Sequence, residues 1–262
     1  METIKNVLRG LISRPPTQPF FLKLLKLCHA ALNYGGGQAV EDSGEIDAMR
    51  FLRGSENSSW VVFDVGANNG QYLAQLLKIF PNGIKAYSFE PQAECFMRLT
   101  NRFGHDTRVH LENKALGSSV SSAVLSKKAD GDLEASLCSL TSGNSDQEIV
   151  EVDTLDRFCE SKNIQHIDFL KIDTEGWDFN VLQGADTLLK QARIRAIQFE
   201  FGDVTLGSPY HFRDFWNLLA DEYRIYRLLR HGMVEITGYS PDLEIYKIAN
   251  FLCVIKKTPQ QS

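Results

Sequence analysis

The sequence predicts an α/β fold built on a mostly parallel sheet with helices on both faces. Two patterns carry that reading. From Trp60 onward, short apolar runs alternate with helical stretches of about ten residues or more, the rhythm of right-handed βαβ units. The first of these runs ends in "VVFDVGANNG", residues 61–70, where an acid and a turn of very small residues follow a strand directly. Open sheets of this kind bind ligands outside the carboxyl ends of their strands, so residues at those ends are the functional candidates.

Residues 1–57 read as an N-terminal helical extension and residues 58–262 as the main domain. In the extension, Pro15, Pro16 and Pro19 precede an apolar run from Phe20 to Leu32. It is too short, and too interrupted by Lys23 and Lys26, to span a bilayer, and it does not have the layout of a secretory signal. It reads as an amphipathic helix docked on the domain. Weak attachment to an anionic membrane surface is the alternative, since lysine on an apolar helix suits such lipid. Gly35 to Gly37 open a loop, Glu45 to Gly54 form a short helix and Ser55 to Ser59 a turn.

The main domain then unfolds in order. "WVVFDV" is a buried strand, and "GQYLAQLLKIF" a helix with Tyr72, Leu73, Leu76, Leu77 and Phe80 on one face. Ile84 to Glu90 is the second strand, and "PQAECFMRLTNRF" a helix opened by Pro91, a residue suited to a first helical turn. "RVHLENKALG" is a third strand ending at Gly117. Residues 118–149 break the rhythm and read as an inserted hairpin or flap, either a Ser-rich loop over the site or a plain solvated insertion. "EIVEVDTLDRFCESKN" is a short strand and a helix capped by Asp153 or Thr154. His166 to Asp173 is a central strand, "EGWDFNVLQGADTLLKQA" a helix, Ile194 to Phe201 a further strand and "FRDFWNLLA" a helix. The strand-rich tail adds an antiparallel element, with Arg224, Arg227 and Arg230 as solvated charges.

Composition bounds the function. The net charge of -5 gives no general attraction to nucleic acid, so no such partner is expected. Cys28, Cys95, Cys138, Cys159 and Cys253 are too scattered for a disulfide framework or a zinc knuckle. They read as single thiols in a reducing compartment, which makes the expected location cytoplasmic. No metal site is assigned: Asp173 with Glu200 could bind a divalent cation, but two carboxylates are a thin ligand set.

Polar groups gather at the predicted strand ends. Asp64 and the turn Gly66, Ala67, Asn68, Asn69 and Gly70 follow the first strand, and Glu90 with the adjoining Pro91 ends the second. Asn113 and Ala115 lie on the third, Lys171, Asp173 and Glu175 follow in "LKIDTEG", and Glu200 sits in "FEF". Small turn residues let a ligand approach the backbone. A carboxylate twenty residues past Gly70 can accept both hydroxyls of a ribose. A pyrophosphate loop would read G-x-G-x-x-G, whereas here Asn68 replaces the middle glycine, and no Walker A lysine is present. Asp64 just before the turn suits a cationic ligand. S-adenosyl-L-methionine has the ribose, the ammonium and the sulfonium to fit.

"VVFDVGANNG", "YSFEP", "NKALG", "VDTLD" and "IDFLKIDTEGWDFNVLQGA" resemble, in order and spacing, the FkbM-type S-adenosylmethionine-dependent methyltransferases over about residues 58–256. The resemblance implies a Rossmann-like class I methyltransferase sheet of seven strands with the last antiparallel. It implies methyl transfer to a hydroxyl oxygen on a sugar, polyketide or similar small acceptor. By motif, it puts Asp64, Gly66, Asn68 and Gly70 at the cofactor's methionine end, Glu90 at the ribose, and Asn113 and Ala115 near the adenine.

An alcohol acceptor needs a base. Asp173, Glu200 and His211 are the candidates, with Asp173 also counted among the cofactor residues. Lys171 shares a strand face with Asp173, where it could keep the carboxylate ionised or stabilise an oxyanion. Two other readings stay open: a nicotinamide-dependent oxidoreductase on a related sheet, and a non-catalytic descendant that binds a partner.

Overall fold

The computed structural model describes residues 10–36, 40–54, 59–127, 135–136 and 147–256. A 3-10 turn at Pro15–Thr17 leads into helix α1 (Gln18–Ala31), and α2 (Glu45–Arg53) follows. Then come β1 (Trp60–Val65), α3 (Gln71–Ile79), β2 (Ile84–Phe89), α4 (Ala93–Phe103) and β3 (Val109–Glu112). Four short strands stand apart: β4 (Ala115–Leu116), β5 (Ser121–Lys127), β6 (Ala135–Ser136) and β7 (Gln147–Asp153). The rhythm resumes with α5 (Leu155–Ser161), β8 (Phe169–Ile172), α6 (Asp178–Gln183), α7 (Asp186–Lys190), β9 (Ala196–Phe201) and α8 (Phe212–Leu219). It closes on β10 (Tyr223–Leu228), β11 (Met233–Ile236) and β12 (Ala249–Ile255).

The main sheet has the order β11-β10-β12-β9-β8-β1-β2-β3. Strands β3, β2, β1, β8 and β9 run parallel, while β12 runs against both its neighbours. This is the seven-stranded arrangement with one reversed strand, and β11 extends it with an eighth, antiparallel edge strand beside β10. The chain leaves β1 for β2 on one side and reaches β8 on the other. That reversal opens the crevice where open sheets bind ligands.

Alternation along β1 separates two cores. Phe63 and Val65 pack with residues of α5, α6, α7 and α8, whereas Trp60 and Val62 pack with residues of α2, α3 and α4. Asp64 shares the second face. Ala48, Met49 and Leu52 of α2 are buried there, so the boundary drawn at 57/58 falls between two elements of one core.

Several local expectations are corrected. Helix α1 is not docked: none of its residues is buried. The segment is held only beyond the helix. Asn33 Nδ2 donates to the carbonyls of Ser43 and Leu228, Tyr34 is buried, and the Gly35 N–H donates to the Ile248 carbonyl. Helix α4 starts at Ala93 with Gln92 as its N-cap, two residues after Pro91. The third predicted strand is two strands, because β4 leaves the main sheet to pair with β7. The helix predicted from Glu175 is two short helices, because Asp156 of α5 accepts the Thr187 and Leu188 N–H groups and caps α7 separately. Helix α5 itself is capped by Thr154, whose Oγ1 accepts the Arg157 N–H. Arg227 donates to the Tyr34 hydroxyl at 2.9 Å and Arg230 pairs with Asp42 at 2.8 Å, so both hold the N-terminal segment rather than only facing solvent.

The inserted hairpin is present as β5 paired antiparallel with β7. Residues 128–134 and 137–146, including Cys138, lie outside the described residues, as do Gly37 and most of the turn predicted at 55–59.

Candidate active site

The turn after β1 is wired to β2. The N–H groups of Gly66 and Ala67 both donate to the Phe89 carbonyl, and the Asn68 N–H donates to Glu90 Oε2 at 2.8 Å. Gly66 has φ +82°, and a Cβ there would stand 1.8 Å from the Asp173 carbonyl oxygen. Only glycine lets the ends of β1 and β8 approach so closely. Gly70, φ +73°, meets Phe103 and Leu99 of α4 in the same way, with a Cβ falling 2.4 Å from the Phe103 ring. The turn therefore spends its glycines on close packing and its amides on fixing Glu90.

Glu90 accepts a second backbone bond, from the Gln92 N–H at 2.8 Å, and is 6% exposed. Burial pushes its carboxyl up to about 7, against the two amide donors that oppose the shift. Asn113 Nδ2 donates to the Glu90 and Pro91 carbonyls and so fixes the backbone at the same point.

These groups border one cleft of about 660 Å³, open to solvent. Gly66, Asn68, Glu90, Pro91, Ala115 and Asp173 line it, from the ends of β1, β2 and β8 and from β4. Lys114, Leu125, Thr174, Glu175 and Trp177 also stand on its walls, and sequence reasoning assigned none of them a cofactor or catalytic role. Leu125 comes from β5, so the inserted hairpin does reach the site. Asp64, Ala67, Asn69, Gly70 and Asn113 are not lining residues. Ala67 is buried in the core and Gly70 caps α3, while the Asn69 carbonyl accepts from Arg102.

Behind the cleft lies a buried polar network. Lys171 Nζ stands 3.0 Å from Asp173 Oδ2 and 3.6 Å from Asp64 Oδ1, with the Tyr72 ring 4.8 Å away. Lys171 is 3% exposed, so it cannot touch an acceptor and its reach ends at the two carboxylates. Burial alone would lower its ammonium, but Asp173, Asp64 and Glu45 outweigh that and hold it raised. Neither Asp64 oxygen has a hydrogen-bond donor, and burial pushes its carboxyl up against the attraction of Lys171. The network continues through Tyr72, whose hydroxyl donates to Gln198 Oε1 at 3.1 Å, and Gln198 Nε2, which donates to Glu45 Oε1 at 2.6 Å. Ser43 Oγ donates to the other Glu45 oxygen at 2.7 Å.

The remaining base candidates separate. Glu200 does not line the cleft, and burial, then Asp173 and Asp178, push its carboxyl well above the carboxylate range. His211 is the N-cap of α8, with Nδ1 2.7 Å from the Tyr246 hydroxyl, and does not line the cleft. Asp173 does line it. The turn after it is held by Asp178, which accepts the Thr174 N–H and hydroxyl and the Glu200 N–H. Among the described residues, no group of three or more His, Cys, Asp or Glu is arranged to hold a metal.

Sequence reasoning missed Glu45, Tyr72 and Gln198 as members of this network. Each lies in a stretch read only for its apolar pattern. The one available signal was a polar residue on the buried strand "AIQFEF".

A seven-stranded arrangement with one reversed strand, extended by β11 and with its cleft at the ends of β1, β2 and β8, defines a class I methyltransferase fold. A family model described as the methyltransferase FkbM domain matches residues 64–228, and the chain belongs to that family. Among solved structures it is similar to a methyltransferase FkbM from Methylobacillus flagellatus KT, at 16% identity and a TM-score of 0.47. That likeness covers 76% of this chain and 44% of the other, so the chain spans less than half of that protein. An rRNA methylase from Streptococcus thermophilus is similar at 12% identity and TM-score 0.45, over 80% of this chain and 95% of the other. TrmK of M. capricolum in complex with S-adenosyl-homocysteine is similar at 12% identity and TM-score 0.43, over 81% and 68%. No curated protein matches the chain.

Proposed function

We propose that the protein is an S-adenosyl-L-methionine-dependent O-methyltransferase acting on a hydroxyl of a sugar or other small natural-product acceptor. The observation that carries the cofactor reading is Glu90, a buried carboxylate on the cleft wall, held by two backbone amides at the end of β2. Its remaining lone pairs suit two ribose hydroxyls. Gly66 and Asn68 border the cleft beside Glu90, and Asp64, fully buried behind them with Lys171 Nζ 3.6 Å away, acts on the site only through Lys171 and Asp173. Pro91 and Ala115 offer apolar wall for an adenine, with Asn113 fixing the backbone beneath it.

When bound, the cofactor supplies an activated methyl on sulfur. Asp173 faces the cleft with 39% of its side chain exposed and accepts the acceptor's hydroxyl proton. Lys171 positions that carboxylate from behind. The amides of Gly66, Ala67 and Asn68 are already engaged, which speaks against a pyrophosphate cradle and hence against a nicotinamide dinucleotide. The thiols Cys28, Cys159 and Cys253, which form no disulfide among the described residues, fit a reducing, cytoplasmic setting.

Calorimetry with S-adenosylhomocysteine tests the cofactor, and no heat of binding by the folded protein sinks this reading. For the base, Asp173→Asn is expected to keep cofactor binding and lose about 100-fold or more in turnover on a hydroxyl acceptor. Unchanged turnover removes Asp173 from the mechanism.

A further inference from the structure

Half of the large hydrophobic side chains that the described residues expose fall between Leu11 and Leu32. Phe20, Leu22, Leu25 and Leu27 on α1 are each at least 50% exposed. Scattered exposed leucines are ordinary, but a continuous apolar helix face calls for something to cover it. The domain does not cover this one.

Helical periodicity sorts the residues. Phe20, Leu24, Leu27 and Ala31 fall along one line of the helix, and Phe21, Leu25, Cys28 and Leu32 along the adjacent one. Lys23 and Lys26 emerge on the far side. The charge around the helix has one sign. From residue 3 to residue 40 the sequence holds Lys5, Arg9, Arg14, Lys23 and Lys26 and no acid, in a chain whose net charge is -5.

We infer that α1 is a surface anchor that lies in the headgroup layer of an anionic lipid membrane. A broad apolar face opposite a side whose charges, Lys23 and Lys26, are all basic is the pattern of an interfacial helix. At 14 residues α1 is about 21 Å long, short of the roughly 30 Å hydrocarbon core, and no described helix is long and apolar enough to cross a membrane. A second copy of the chain is a poorer occupant. Paired helices choose partners by opposite charges along the seam, and α1 has lysine but no acid to offer. The anchor is held at its C-terminal end, where Asn33, Tyr34 and Gly35 tie the chain to the domain just past the helix.

Flotation with vesicles tests this on the full chain. Binding is expected to phosphatidylcholine vesicles that contain phosphatidylglycerol, and it should weaken as salt is raised. Lys23→Gln with Lys26→Gln should lower the partition coefficient on the order of 30-fold, from about fivefold per lysine. Phe20→Glu with Leu24→Glu should abolish binding and leave the thermal unfolding of the domain unchanged, because both side chains are exposed. No binding to anionic vesicles overturns the proposal, as does equal binding to phosphatidylcholine alone. A wild-type chain that elutes as a dimer, with Phe20→Glu and Leu24→Glu making it monomeric but leaving vesicle binding intact, assigns the face to a second copy instead.

Discussion

Burial raises the Glu90 carboxyl to about 7, so its charge changes within the working range of most assays. The folded chain holds this proton to a higher pH than the unfolded chain does. Its contribution to stability is therefore full below about 4.5 and is lost as pH rises through about 7. Ribose hydroxyls donate to the ionised form, so affinity for S-adenosylhomocysteine should climb between pH 6 and 7.5 and level off above, read by calorimetry across pH. Glu90→Gln should flatten that climb and weaken binding roughly 10- to 100-fold at pH 8. Gly66 carries a different sensitivity. Gly66→Ala puts a methyl against the Asp173 carbonyl at a positive φ, and should destabilise by roughly 2–4 kcal/mol in denaturant unfolding. These two residues were legible in the sequence because both follow a strand directly. Glu90's two amide donors were not, because one of them belongs to a turn more than twenty residues earlier.

Among the elements, α2 is the one whose place was hidden. Its apolar residues Ala48, Met49 and Leu52 mark a buried face, but periodicity cannot say which side of a sheet that face meets. Its acid, Glu45, closes a network through Gln198 and Tyr72 that joins positions far apart in the chain. Glu45→Ala leaves the buried Gln198 Nε2 without its acceptor and should cost about 1–3 kcal/mol in thermal unfolding. The two N-terminal helices should also part company on truncation. Deleting residues 1–32 should leave the melting temperature within a few degrees, since no residue of α1 is fully buried, while deleting 1–57 should yield an aggregating chain, since α2 is core. Limited proteolysis and melting curves check both. The strands β1, β2, β8 and β9 were readable because each is a plain apolar run. The division at α6 and α7 was not, because Asp156, which caps the second helix, sits in α5.

At the level of the whole molecule, the sheet order sets acids from separate strands beside one cation. Asp64 and Asp173 come from the ends of β1 and β8, which pair in the sheet with Asp64 opposite Lys171. Lys171→Met would strand the fully buried Asp64 beside no cation, and should destabilise by about 3–5 kcal/mol near neutral pH. The loss should shrink in acid as the Asp64 carboxyl, raised by its burial, takes up a proton, which urea titrations at two pH values would read. If the loss is the same at both, the ion pair is not what the lysine contributes. Sequence could list these charges at strand ends. Only the parallel register of β1 with β8 reveals that they neutralise one another.

The tie between the turn after β1 and Glu90 has a consequence for how a ligand is received. Gly66, Ala67 and Asn68 donate to Phe89 and Glu90, so the two ends of the proposed cofactor seat move as one body. Such a seat is assembled before anything binds, and little ordering remains to be done on arrival. Adenosine and methionine offered as separate fragments should then each bind without waiting for the other. The covalent link between them in the intact cofactor would add effective concentration rather than induced shape.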